Sequence, residues 1–229
     1  MIDINNIIEG EILPMYKPLH WTSFDVVNKV KSIFKSQNIK LKIGHAGTLD
    51  PLAEGLLVVC TGKYTKQIES IQSMPKTYEA EFFLGATRPS FDRETEINQN
   101  FSIAHIQNAV IENAIEKLSG EIWQTPPIYS AIKRNGKPLY ESARQGIDVV
   151  IEPRKQIIYS FIINAIELPI VKTTIECSKG TYIRSLANDF GLLCESGAYL
   201  HNLKRTKIGK YNTEEAYSIE DIEKLFLSN

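Results

Sequence analysis

The sequence has no run approaching the roughly 18 apolar residues of a membrane span, so no transmembrane helix is predicted. Residues 1–10 carry acids and asparagines where an export signal would be basic and then apolar, and a cytoplasmic setting is expected. Cys60, Cys177 and Cys194 are odd in number, far apart and form no C-x-x-C pair; buried free thiols are the expectation, without disulfide or metal. His20, His45, His105 and His201 show no metal-ligand spacing with one another or with the cysteines. Neither a P-loop nor a G-x-G-x-x-G fingerprint is present, so a nucleotide cofactor has no visible seat. No metal and no cofactor are expected, and any chemistry rests on side chains.

A large excess of one charge is also missing. The net charge of -1 argues by itself against a nucleic-acid partner, but the distribution says otherwise. Residues 26–49 hold five lysines (Lys29, Lys31, Lys35, Lys40, Lys42) and no acid. Residues 179–210 hold six bases (Lys179, Arg184, Lys204, Arg205, Lys207, Lys210) against Asp189 and Glu195, and residues 211–229 hold five acids against Lys224. Such segregation gives a nearly neutral molecule a basic face able to follow phosphates. At 229 residues, 43% of them hydrophobic, the chain can bury a sizeable core.

Along the chain, 11–17 reads as a short strand broken by Pro14. Thr22-Ser23-Phe24-Asp25 is a capping box opening a helix with Val26, Val30, Ile33 and Phe34 inward and Lys29, Lys31 and Lys35 outward. Residues 63–72 look helical, and 77–84 alternate as a strand with Tyr78, Ala80, Phe82 and Leu84 on one face. The polar stretch 85–100 is assigned no fixed structure. Ser102 is expected to cap a helix with Ile106, Ala109, Val110 and Leu118 as its apolar face, ended by Gly120. A tight turn is expected at Arg134-Asn135-Gly136-Lys137 and a helical turn over 139–145. Two antiparallel strands then carry Ile157, Tyr159, Phe161, Ile163 and Val171, Thr173, Ile175, Cys177.

Ser178-Lys179-Gly180-Thr181-Tyr182-Ile183-Arg184 leads into a helix lined by Ile183, Leu186, Ala187, Phe190 and Leu193. Arg184 falls in its first turn, where a cation opposes the helix dipole, which suggests an anionic partner. Residues 203–209 read as a basic link, and Ser218-Ile219-Glu220-Asp221 caps a last amphipathic helix. Without a regular β-α-β rhythm the class is α+β.

Against this background Gly44-His45-Ala46-Gly47-Thr48-Leu49-Asp50-Pro51-Leu52-Ala53-Glu54-Gly55-Leu56-Leu57 stands out, with one acid before a proline among glycines and apolar residues. Pro51 keeps Asp50 off helical backbone, and the apolar run 56–60 then resumes as a buried strand. Judged alone, Asp-Pro is an ordinary turn opener.

The stretch does not stand alone. Gly44-His45-Ala46-Gly47-Thr48-Leu49-Asp50-Pro51-Leu52-Ala53, Lys76-Thr77-Tyr78, Tyr129-Ser130-Ala131-Ile132-Lys133, Tyr140-Glu141-Ser142-Ala143-Arg144-Gln145-Gly146 and Ser178-Lys179-Gly180-Thr181-Tyr182-Ile183-Arg184 follow in order, and together they resemble the TruB-type tRNA pseudouridine-55 synthases over residues 12–211. The resemblance implies a pseudouridine-synthase fold, a mixed and mainly antiparallel sheet flanked by helices and loops. It implies an isomerase that detaches uracil from its ribose in the T-arm loop of tRNA, turns it and rejoins it through carbon 5, without a cofactor. Asp50 matches the catalytic aspartate and Arg184 its partner arginine. His45 matches the residue that flips and holds the substrate loop, Tyr78 the tyrosine that stacks on the flipped base, and Tyr182 and Leu203 further pocket residues. The RNA backbone is expected on Lys42, Lys66, Lys133, Lys179, Lys204 and Arg205. Residues 1–211 form the expected catalytic domain and 212–229 a helical tail without the PUA-type domain of many relatives. The protein is expected to act on tRNA as a cytoplasmic monomer, with no membrane partner. The alternative is a non-catalytic tRNA-binding and folding chaperone; a core protein of a guide-RNA complex is disfavoured.

Overall fold

The computed structural model describes residues 3–130 and 150–226, together with the backbone of 133–134 and 137–138. The motif at 140–146 and the helical turn expected there lie outside the described residues. In chain order the elements are α1 (Ile4–Glu9), β1 (Ile12–Lys17), α2 (Ser23–Ser36), β2 (Ile43–His45), β3 (Glu54–Thr61), a 3-10 turn (Gly62–Gln67) running into α3 (Ile68–Ser73), and β4 (Lys76–Leu84). There follow β5 (Ala86–Thr87), β6 (Gln99–Asn100), α4 (Asn108–Lys117), β7 (Gly120–Gln124), β8 (Lys133–Arg134), β9 (Lys137–Pro138), β10 (Arg154–Glu167) and β11 (Ile170–Cys177). The chain closes with α5 (Ile183–Leu193), β12 (Ala198–Ile208), β13 (Tyr211–Asn212) and α6 (Ile219–Lys224). They divide between two compact units, one of Met1–Tyr78 with Leu203–Asn229 and one of Glu79–Asn202. No helix of the described residues is long and apolar enough to cross a membrane.

In the first unit β3 is the central strand. β1 pairs antiparallel along its whole length, from Ile12 opposite Cys60 to Lys17 opposite Gly55. β12 pairs parallel with its start, Arg205 opposite Gly55, and β2 pairs antiparallel with its end, His45 opposite Val59. The run Leu56–Cys60 is apolar throughout because both faces of β3 are covered. Leu57 and Val59 pack with Ile7, Met15, Val26, Phe34 and Ile222. Leu56, Val58 and Cys60 pack with Ala46, Ile71 and Ile208.

Helix α2 begins at the expected capping box, Thr22 and Asp25 exchanging side-chain and backbone hydrogen bonds, with Lys29, Lys31 and Lys35 exposed. Residues 4–9, given no element above, form a helix capped by Asp3, whose carboxylate accepts the Asn5 and Asn6 N–H groups at 2.7 and 3.2 Å. Two readings of this unit are corrected. Pro14 does not break β1, an outermost strand in which a missing N–H is tolerated. The basic link at 203–209 is the second half of β12; its inward positions are Leu203 and Arg205, and a charge at an inward position hides the alternation. Helix α6, within the expected helical tail, places Ile219 and Ile222 in the core of this unit.

The second unit orders its strands β4-β11-β10-β7, with β10 antiparallel to both neighbours. Tyr78, Ala80, Phe82 and Leu84 are buried on one face of β4, as their alternation predicts. Phe82 packs edge-on against Phe161 at 6.0 Å and against Phe190 of α5 at 5.4 Å. A register shift between Ile158 and Ser160 turns Tyr159 outward, so its expected place on the inner face is lost. Helix α4 starts at Asn108; Ser102 instead holds a turn through the Ala104 N–H, and the buried face is Ile111, Ala114, Ile115 and Leu118.

The stretch 85–100, given no fixed structure above, is built by its own polar groups. β5 pairs with β6, Ser90 and Thr95 bond through their hydroxyls at 2.9 Å, the Arg88 guanidinium donates to the Thr95 carbonyl, and Leu200 N–H donates to the Phe91 carbonyl. β8 pairs antiparallel with β9, Arg134 opposite Lys137, and the central residues of the tight turn expected there lie outside the described residues.

Candidate active site

The loop 46–53 joins β2 to β3, which pair with each other, so both its ends are fixed before any side chain is considered. Its middle is held from three directions. The Ser23 hydroxyl accepts from Leu49 N–H at 2.8 Å and donates to the Leu49 carbonyl at 3.1 Å, clamping the residue before Asp50. Pro51 carbonyl accepts from His20 N–H at 2.8 Å, and Ala53 N–H closes a turn on the Asp50 carbonyl at 3.1 Å. From beneath, Arg205 donates Nη2 to the Gly47 carbonyl at 3.0 Å, Nη1 to the Thr48 carbonyl at 3.4 Å and Nε to the Leu56 carbonyl at 2.9 Å.

Arg205 is 1% exposed, and this corrects its expected role on the RNA backbone: the guanidinium is spent on the protein's own carbonyls. The glycines also serve the interior. Gly55 has φ +106°, and a Cβ there would stand 2.4 Å from the Arg205 carbonyl oxygen. Gly55 is therefore required by the β3–β12 pairing itself.

Lys17 is fully buried at the end of β1, its ammonium donating to the Pro18 and Trp21 carbonyls at 2.9 and 2.6 Å. Burial pushes its pKa down to about 8, with Asp50 and Glu54 acting the other way and Arg205 adding to the fall. Asp50 itself is half-buried. Glu54 accepts from the Tyr16 hydroxyl at 2.8 Å. His45, half-buried at the end of β2, is held below the usual imidazole pKa by burial and by the Arg205 charge, so the ring is neutral at pH 7. The first unit thus gathers Asp50, His45, Lys17, Glu54 and Arg205 around one rigid loop. The sequence reading missed Lys17, Glu54 and Ser23; an ionisable residue ending an apolar strand is the one signal Lys17 offered.

The second unit fixes Tyr182 and Arg184 at the start of α5. The Gln124 side chain, 2% exposed, accepts from Tyr182 N–H at 2.8 Å and donates to its carbonyl at 3.1 Å. Ser185 donates to the Thr125 carbonyl at 2.7 Å, and Arg184 Nη1 to the Tyr129 carbonyl at 2.9 Å. Arg184 is buried, and its Nε stands 3.6 Å from the Asp92 carboxylate, itself buried. The anion that the helix dipole called for is therefore present in Asp92, hidden in the stretch assigned no structure. Tyr78 and Leu203 are each 9% exposed and half-buried Tyr182 is the N-cap of α5. Lys42, Lys66 and Lys179 are exposed and Lys204 is half-buried, positions open to a polyanion; Lys133 is described through its backbone in β8.

Comparison with known proteins places these residues in context. Residues 31–183 match the N-terminal domain of the TruB family pseudouridylate synthases. The chain is 51% identical over 215 residues to tRNA pseudouridine synthase B of Flavobacterium johnsoniae, covering 93% of this chain and 94% of that protein. It is 46% identical over 217 residues to tRNA pseudouridine synthase B of Phocaeicola vulgatus, covering 94% and 92%. Among solved structures, a chain of a Cbf5-Nop10-Gar1 complex superposes with a TM-score of 0.71 at 27% identity, over 95% of this chain and 54% of that one. The chain thus spans about half the length of that solved relative.

Proposed function

The chain belongs to the TruB family of pseudouridylate synthases, and we propose that it isomerises a uridine of tRNA to pseudouridine, at position 55 of the T-arm loop. The observation that carries this reading is the Asp50 loop, clamped by Ser23 and by buried Arg205 so that a carboxylate is presented on backbone that has nowhere to move. Phosphate binding alone gives no reason to hold a carboxylate in this way, which favours catalysis over a purely RNA-folding role.

The reaction breaks the N1–C1′ glycosidic bond, turns the uracil and forms C5–C1′; the proton lost from C5 is balanced by one gained at N1. Asp50 must be ionised to act as nucleophile on base or sugar, or as base at the sugar. Arg184 is assigned as its partner arginine, from the match of its motif to that of the family. Reaching the uridine requires flipping it from the folded loop at a cost of a few kcal/mol. We assign His45 to holding the opened loop and Tyr78 to stacking on the flipped base, a contribution of about 1–3 kcal/mol. Tyr182 and Leu203 line the uridine, and the exposed lysines Lys42, Lys66 and Lys179, with Lys204, follow the backbone. The enzyme acts as a cytoplasmic monomer without a cofactor.

The test is to incubate a tRNA transcript with the protein and map pseudouridine by carbodiimide adducts that stop primer extension. A single new stop at the T-arm uridine is expected. An unmodified transcript with intact binding supports the chaperone reading and overturns this one.

A further inference from the structure

Leu19, His20 and Phe24 belong to the segments that grip the Asp50 loop in the first unit, and the uridine chemistry uses none of them. His20 N–H donates to the Pro51 carbonyl at 2.8 Å, and the hydroxyl of Ser23, the neighbour of Phe24, bonds both backbone groups of Leu49. The residues on either side of Asp50 are therefore held by the backbone and side chain that these three flank. Phe24 is 63% exposed, and Leu19 and His20 are exposed as well. Among the described residues of the first unit the exposed large apolar side chains are Ile8, Leu19 and Phe24, so two of the three stand on the segments that grip this loop.

The backbone of His20 points the same way. Its φ is +67°, in the left-handed region that glycine enters freely and a residue with a side chain seldom does. The turn is fixed from inside, since the buried Lys17 ammonium donates to the Pro18 and Trp21 carbonyls and Trp21 packs against the core. Among the described residues the His20 imidazole makes no hydrogen bond or ion pair, and neither it nor the Phe24 ring contacts another ring. A side chain kept where glycine fits better, and spent on nothing inside the protein, calls for a partner outside it. The surroundings suit RNA. Asp25, the one acid of residues 18–25, is engaged by Thr22 N–H at 2.7 Å, whereas Lys42 is exposed and Lys204 stands opposite Glu54, where β3 leaves the loop. Cations for the backbone and open aromatic faces for the bases are the two parts of a single-strand site.

We propose that His20 and Phe24, with Leu19 adding apolar surface, form a stacking platform for the RNA base next to the flipped uridine. This rests on the reading of the protein as an RNA-modifying enzyme. Because His20 N–H and the Ser23 hydroxyl hold the backbone of Pro51 and Leu49, a base seated on the platform is in register with the Asp50 carboxylate. The segments that clamp the catalytic loop thus also hold the strand on which it acts.

The experiment measures the affinity of the full-length protein for a tRNA transcript by fluorescence anisotropy, with the melting temperature taken on the same sample. At the lower end of its range, one stacked base accounts for about a 5-fold change in affinity. Phe24→Ala is expected to lose that factor at an unchanged melting temperature, and Phe24→Trp to keep it. His20→Gly relieves the backbone, so its melting temperature stays or rises while its affinity falls by a similar factor. An otherwise identical RNA with an abasic residue on one side of the target uridine binds wild type more weakly by the same factor, and binds Phe24→Ala no more weakly than the intact RNA does. Full affinity in Phe24→Ala or in His20→Gly overturns the proposal, as does a loss matched by a lower melting temperature. So does an abasic penalty that is absent from wild type or undiminished in Phe24→Ala. Failure of the wild type to modify tRNA would refute the enzyme reading separately, because the affinities and the abasic penalty are read from binding alone.

Discussion

Arg205 offers the sharpest perturbation, because the basic run around it suggests a phosphate contact and the geometry assigns it to holding the Asp50 loop. A hydrogen bond from a charged donor contributes roughly 1.5–3 kcal/mol. The bonds to Leu56 and Gly47, at 2.9 and 3.0 Å, count fully, and the one to Thr48 at 3.4 Å is weak. Arg205→Met is therefore expected to cost about 3–6 kcal/mol, lowering the melting temperature by roughly 6–24 °C for a chain of this size. Arg205→Lys keeps the charge but not the fork, and one ammonium cannot reach all of these carbonyls in the same geometry. The loop then relaxes, and a displacement of about 1 Å at a catalytic group lowers the rate about 100-fold. Single-turnover pseudouridine formation by Arg205→Lys should fall by about that factor, while tRNA affinity and its salt slope stay at wild-type values. A slope lowered by about 1 with the rate intact would refute the reasoning and return Arg205 to the RNA backbone.

Other outcomes follow from the same geometry. Gly55→Ala combines a φ of +106° with a Cβ placed 2.4 Å from a backbone oxygen; thermal or urea unfolding should show a loss of roughly 2–5 kcal/mol. Gly47→Ala has φ +100° but no neighbour nearer than 3.8 Å, so about 1–2 kcal/mol is expected there. Lys17, with a folded pKa of about 8 against 10.5 ordinarily, binds fewer protons folded than unfolded across that window, so its penalty of roughly 3 kcal/mol at neutral pH fades as pH rises. The stability of wild type relative to Lys17→Met should accordingly rise between pH 7 and pH 10, and a flat difference would contradict the burial of that charge. Burial pushes the Cys60 and Cys194 thiols up to about 11, so the folded protein should resist alkylation at pH 8 until denaturant is added.

What the sequence made legible was local. The capping boxes at Thr22–Asp25 and Ser218–Asp221 and the alternation of β4 each depend on neighbouring residues, and each is found as read. What it hid depends on partners far along the chain. Arg205 reads as one more base in a basic segment, because the carbonyls it serves lie some 150 residues earlier. Asp92 and Arg88 lie in a stretch that looks structureless by composition, because its order comes from hydroxyl and guanidinium bonds that leave no periodicity. Tyr159 alternates correctly on paper, and a bulge moves it outward. The candidate site was found from motifs; its supporting groups, Ser23, Gln124, Lys17 and Asp92, came from the fold.

The central claim is that Asp50 does chemistry on a uridine rather than merely shaping an RNA-binding surface. Asp50→Asn removes the charge and leaves the loop's clamps, Ser23 and Arg205, in place. The decisive measurement is its single-turnover formation of pseudouridine in a tRNA transcript, with tRNA affinity determined on the same sample. The account predicts wild-type affinity and no pseudouridine; modification at an undiminished rate would contradict it.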